Sequence, residues 1–154
     1  MSKEAQYQHI YSSYSALLAS DVPAYVHLNN LCALLNKEFN FFWTGFYLKN
    51  GANSLQIGPY QGEVPCFNIS IGKGVCGTAA AQLKSQVVAD VHKYPGYIAC
   101  HPEPNAEIVI PGIEDGNCVF VLDIDHVEKN YFDNTDKEWL EKLCELIIEK
   151  VELD

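Results

Sequence analysis

Basic residues are scarce in this chain: ten lysines and arginines stand against twenty aspartates and glutamates, for a net charge of −10 and a pI near 4.8. Such a surface repels phosphate, which excludes nucleic acid and anionic membrane as expected partners. Nowhere do about 18 apolar residues run together, so no membrane-spanning helix is expected. The first residues, Met1-Ser2-Lys3-Glu4-Ala5-Gln6, lack the apolar core of a secretory signal, and a cytosolic or nuclear location is expected. Repeats and low-complexity stretches are missing as well, so residues 1–154 are expected to fold as one domain that buries roughly 70% of the unfolded surface. The six cysteines include no Cys-x-x-Cys pair and no histidine at zinc-finger spacing, which leaves a structural metal site without support. In a reducing compartment those thiols are better read as core residues or redox groups than as a disulfide framework.

The apolar residues that are present, 48% of the chain, fall into periodic blocks. Tyr7, Ile10, Tyr11, Tyr14, Leu17 and Leu18 recur at helical intervals and predict a helix over about 4–19. After the break at Ser20-Asp21-Val22-Pro23, Leu28, Leu31, Cys32 and Leu35 predict a second over about 23–37. The run from Phe39 to Leu48 is apolar on both alternating faces and reads as a central strand. Asn50-Gly51 turns it into a partner near Leu55 to Pro59, and another short strand is expected over 66–71. Past the glycines at 72, 74 and 77, Cys76, Ala79, Ala80 and Leu83 share a face of a short helix. Strands are expected near 86–91, 106–110 and 117–124, the last two joined at Glu114-Asp115-Gly116. A final helix over about 135–153 begins at a capping box of Thr135 and Glu138. The fold class is therefore α+β, a mostly antiparallel sheet with helices packed against it.

Residues able to do chemistry concentrate between Cys66 and Asp125. Cys32 and Cys144 lie on apolar helix faces and Cys118 shares strand parity with Phe120 and Leu122, so all three read as core. Cys100 sits beside His101 in a loop bounded by Pro95-Gly96 and Pro102, where an imidazolium favours thiolate; an inert loop thiol is the alternative. Cys76 is periodic with core residues yet stands at a helix amino terminus, which lowers a thiol pKa. Cys66 opens a strand and carries both readings. Gly72-x-Gly74-x-x-Gly77 matches a dinucleotide fingerprint as a string, but no βαβ repeat surrounds it; the glycines could instead let amides converge on a small anion such as a carboxylate. Asp123 and Asp125 share a strand face, and with Glu107 they could hold an ammonium group or retain a proton. Trp43, Phe46 and Tyr47 are core candidates, of which a tryptophan on the sheet rim could pack a methyl or thioether. His92 and His101 have no ligand spacing.

Taken together, the segment Trp43-Thr44-Gly45-Phe46-Tyr47, the run Gly58-Pro59-Tyr60-Gln61-Gly62, the GKGVCGTA run from Gly72 to Ala79, Asp90-Val91-His92, the stretch from Pro95 to Cys100, Glu107-Ile108-Val109 and the LDID run from Leu122 to Asp125 resemble the free methionine-R-sulfoxide reductases. These are small GAF-domain enzymes, and three cysteines here coincide with the family's three. The resemblance implies a GAF-like antiparallel sheet flanked by helices on both faces and a homodimer. It implies reduction of free methionine sulfoxide with no bound cofactor or metal, Cys100 as nucleophile, Cys66 as its resolving partner and Cys76 as an auxiliary thiol. Glu107, Asp123 and Asp125 are implied as pocket acids, with Trp43, Tyr47, Tyr97, Ile98 and Ala99 around the substrate and a thioredoxin-type dithiol as external reductant. The chain departs from the family pattern at Tyr97, where histidine is usual, in the loop from His101 to Ala106, at Phe120, where glycine is common, and at Gly112, where leucine or valine is usual. Two other classes compete: a GAF module that senses a small molecule without chemistry, and a metal-binding structural domain using Cys66, Cys76, Cys100 and His101.

Overall fold

The hydrophobic run beginning at Phe39 divides between two elements in the computed structural model, which describes residues 1–153. Phe39 closes helix α2 (Ala24–Phe39), Asn40 takes a left-handed backbone that ends it, and strand β1 (Trp43–Asn50) starts four residues later than the pattern predicts. Asparagine tolerates that conformation, so the helix stops there although the hydrophobic residues continue. Helix α1 spans Lys3–Leu17. Strands β2 (Ser54–Gln61) and β3 (Asn68–Ser70) precede helix α3 (Gly74–Gln82), strand β4 (Gln86–Val88), a 3₁₀ turn at Val91–Lys93, strands β5 (Ala106–Glu114) and β6 (Asn117–His126), and helix α4 (Asn134–Lys150).

The six strands form one sheet in the order β3-β2-β1-β6-β5-β4, every neighbouring pair antiparallel. Alternation along the central strands divides the sheet into two faces. Phe46, Ile108, Ile110, Phe120, Leu122 and Ile124 pack beneath α1, α2 and α4, where each fully buried large side chain contributes about 1.5–3 kcal/mol. Trp43, Tyr47, Val109 and Val121 face the other way and pack with α3. Helices therefore cover both faces, and the acids of β5 and β6 point to the side that holds only the short α3.

Two local expectations are corrected. The capping box of α4 is formed by Asp133 and Asp136, not Thr135 and Glu138: Asp133 accepts from the amides of Thr135 and Asp136, and Asp136 accepts from the amide of Asp133. Asp136 is fully buried and also binds the Lys3 ammonium at 2.6 Å and the Tyr7 hydroxyl at 2.7 Å, tying the two ends of the chain together. Cys118 is buried, but on the α3 face rather than with Phe120 and Leu122. Phe120 pairs with Gly112 and Cys118 with Ile113, so Val119 is an extra residue; that bulge reverses the parity of everything before it.

Candidate active site

Three carboxylates converge on the α3 face because β5 and β6 pair in a register that sets Glu107 opposite Asp125 and Val109 opposite Asp123. Asp123 and Asp125 are two residues apart on one strand and therefore point the same way. Their exposures are 6% for Glu107, 6% for Asp123 and 9% for Asp125. Burial raises the Glu107 carboxyl well above the ordinary range, with Asp123 and Asp125 adding to it. Burial, then Asp123, does the same for Asp125. Asp123 is raised by burial as well, against the proton-donating neighbours Glu107 and Cys76. Among the described residues Asp123 Oδ1 has no hydrogen-bond partner. Crowded acids out of water hold their protons to higher pH than free carboxyls do.

Cys76 lies in the first turn of α3, facing the acids: one ligating atom each from Cys76, Glu107 and Asp123 lie within 4.8 Å of one another. The expectation of a lowered thiol pKa is reversed here. Burial pushes the thiol well up, and Asp123, Glu107 and Asp125 push it further, which outweighs the helix terminus. That terminus has another consequence. No side chain caps it, so its first amides lack partners within the helix, and Lys73 stands at the cap position. A cationic edge thus faces an acidic floor.

Cys66 and Cys100, distant in sequence, are joined by a disulfide with their Cα atoms 5.6 Å apart. Two loops meet there. Residues 62–67 follow β2, and residues 94–105 lead into β5; besides the disulfide, the His101 ring nitrogen lies 3.1 Å from the Val64 carbonyl oxygen and the ring packs edge-on against Phe42. Tyr47 reaches up from β1 and donates to the Cys66 carbonyl at 2.9 Å. Trp43 donates to the Glu63 carbonyl at 2.9 Å and stacks between Tyr47 and Tyr60. Gly62, with φ +129°, has no Cβ to collide with that indole.

Between floor, loops and α3 lies a narrow pocket with a cavity volume of about 30 Å³. Trp43, Tyr47, Cys76, Tyr97, Ile98, Cys100, Glu107, Asp123 and Asp125 all line it. Cys66 reaches it through its bond to Cys100. Ala99 does not line it; its side chain is exposed on the loop. The metal-binding set weighed from the sequence does not assemble, since Cys66 and Cys100 are bonded to each other and Cys76 faces acids instead. His92 is structural and binds Asn105, which in turn holds the Val127 carbonyl. Pocket residues missed from sequence are Pro65, Ile69, Lys73, Val75 and Pro104. Only Lys73 carried a signal, as the one cation inside the glycine run.

No protein-family model matches the chain. Among curated proteins it is 42% identical over 146 residues to GAF domain-containing protein A of Dictyostelium discoideum, covering 95% of this chain and 92% of that one. It is 42% identical over 155 residues to the free methionine-R-sulfoxide reductase of Saccharomyces cerevisiae, covering 96% and 86%. Among solved structures, the free methionine-R-sulfoxide reductase of Neisseria meningitidis in complex with its substrate superposes with a TM-score of 0.95 at 35% identity, over 97% of this chain and 90% of that one.

Proposed function

The chain belongs to the free methionine-R-sulfoxide reductase family, and we propose on that premise that its pocket reduces free L-methionine (R)-S-oxide to L-methionine using Cys100 and Cys66. The observation that carries this reading is the Cys66–Cys100 bond at the mouth of an acidic pocket, the end state expected of a nucleophile and its resolving thiol. A free amino acid is a zwitterion. The carboxylates of the floor suit its ammonium group, and the uncapped α3 terminus with Lys73 suits its carboxylate, a pairing that a peptide-bound residue cannot make. Trp43 offers its face to the methyl and thioether end.

In the reduced protein the Cys100 thiolate attacks the sulfoxide sulfur, while Glu107 or one of the aspartates, protonated through burial and mutual repulsion, donates to the oxygen. Attack joins the Cys100 sulfur to the methionine sulfur. The protonated oxygen then passes from the methionine sulfur to that of Cys100 as the old S–O bond and the new S–S bond break, so methionine leaves with its lone pair restored and Cys100 is left as the sulfenic acid. The Cys66 thiol condenses with it, releasing water and forming the disulfide. A thioredoxin-type dithiol, abundant in a cytosolic or nuclear compartment, then returns both thiols by exchange, with no bound cofactor. The family resemblance is what supports a homodimer.

The test is stoichiometric. Cys100→Ser should lose all turnover, and wild-type rates in that variant would refute the assignment. Cys66→Ser should release about one methionine per subunit and then stall, because the sulfenic acid has no partner. Wild-type protein should lose two titratable thiols on adding one equivalent of the R epimer and none with the S epimer. Thiols untouched by either epimer would favour a sensing module.

A further inference from the structure

Cys76 is the one pocket thiol left free by the disulfide, and the resolving chemistry proposed above does not use it. Its surroundings are unusual for a structural cysteine. It shares a buried corner with two carboxylates, every ligating atom within 4.8 Å of the others, and one of those acids, Asp123, has an oxygen with no hydrogen-bond partner among the described residues. That oxygen has no partner of its own, and the only protons near Asp123 among the described residues are those of Glu107 and Cys76, which a cation bound by the same three groups would replace.

We propose that Cys76, Glu107 and Asp123 form a binding site for a thiophilic divalent cation such as Zn²⁺, and that the cation shuts the pocket to substrate. One sulfur and two carboxylate oxygens are a donor set that zinc accepts, with the fourth position open to water. Bonds of roughly 2.0–2.3 Å place tetrahedral donors about 3.3–3.6 Å apart, so carboxylate torsions need close the present spacing by only about 1 Å. The donors sit on α3 and on two paired central strands, elements that do not depend on the mobile chemistry of the loops. On binding, the Cys76 thiol loses its proton to solvent, and the carboxyls release what they hold; no electron moves. The ion offsets acidic charge that otherwise repels itself, and it occupies the floor on which the substrate's ammonium group would rest.

Binding does not depend on the reductase reading, whereas competition does, so the two are tested apart. Oxidised protein, with Cys66 and Cys100 locked together, is titrated anaerobically with Co²⁺. The expected result is one equivalent bound with a thiolate-to-cobalt charge-transfer band, bleached by Zn²⁺. Cys76→Ser should abolish the band, and Asp123→Asn, nearly isosteric, should weaken Co²⁺ at least about tenfold. Absence of the band, its persistence in Cys76→Ser, or unchanged affinity in Asp123→Asn overturns the site. For reduced protein turning over methionine sulfoxide, Zn²⁺ should raise KM and leave kcat unchanged. A cobalt band with no effect of Zn²⁺ on KM overturns the competition and counts against the placement of substrate on the acidic floor. A cobalt band in protein that reduces neither epimer upholds the cation site and sinks the reductase.

Discussion

Glu107, Asp123 and Asp125 occupy inward strand positions next to Val109 and Val121, where an aliphatic side chain would pack without cost. Their burial is a stability cost accepted for the sake of the pocket, and its pH dependence has a definite sign. A carboxyl whose folded-state pKa is raised contributes stability that is fully present below the unfolded carboxyl range and is lost as pH rises through the folded pKa. Glu107 and Asp125 are the strongly raised members, so metal-free oxidised protein should weaken as pH climbs from about 4 upward. Glu107→Gln removes one of these ionisations. Relative to wild type it should gain roughly 1–4 kcal/mol between pH 5 and pH 8, read from urea midpoints at constant m-value. An equal difference at both pH values would mean that Glu107 ionises as freely in the fold as in the unfolded chain.

Among the elements, the pairing of β5 with β6 explains two departures from the family pattern at once. Gly112 and Phe120 are register partners, and a Cβ on Gly112 would overlap the Phe120 ring. The large side chain on one strand is accommodated by its absence on the other, which neither position shows alone. Gly112→Leu should therefore destabilise by about 1–3 kcal/mol through overpacking. Combined with Phe120→Ala, itself costing about 3–5 kcal/mol, the pair should lose less than the sum of the two, with a coupling of roughly 0.5–3 kcal/mol in a double-mutant cycle. Simple additivity would show that the two side chains do not compete for one space. The adjacent bulge at Val119 belongs to the same scale: strand parity read along residues 117–125 assigns Cys118 to the wrong face, because a one-residue insertion leaves no mark in the sequence.

For the molecule as a whole, the Cys66–Cys100 bond links positions 34 residues apart, across the loop that contains α3 and β4. Closing a loop of that length restricts the unfolded chain by about 3–4 kcal/mol. Oxidised protein should exceed reduced protein in unfolding free energy by up to that amount, and by none in Cys66→Ser, as compared by urea denaturation with and without a thiol-free reductant. A reduced form of equal stability would mean that the reduced loops gain compensating contacts of their own. The cycle proposed above would thus alternate between a closed molecule and a looser one, the looser one being the form that admits substrate.

The α+β class, the terminal helices and the two-sided burial of the central strands were legible in the chain by itself, because periodicity reports which residues leave water whatever they then meet. The family motifs went further and marked the pocket thiols, the acids and the aromatic wall. What they could not supply depends on neighbours distant in sequence: the raised thiol of Cys76, Lys73 at the pocket edge, Ala99 turned outward, the Asp133–Asp136 cap and the exchange of bulk between Gly112 and Phe120. A pKa or a steric clash is a property of the space around a side chain. That space exists only once β5 lies against β6 and α3 closes over them both.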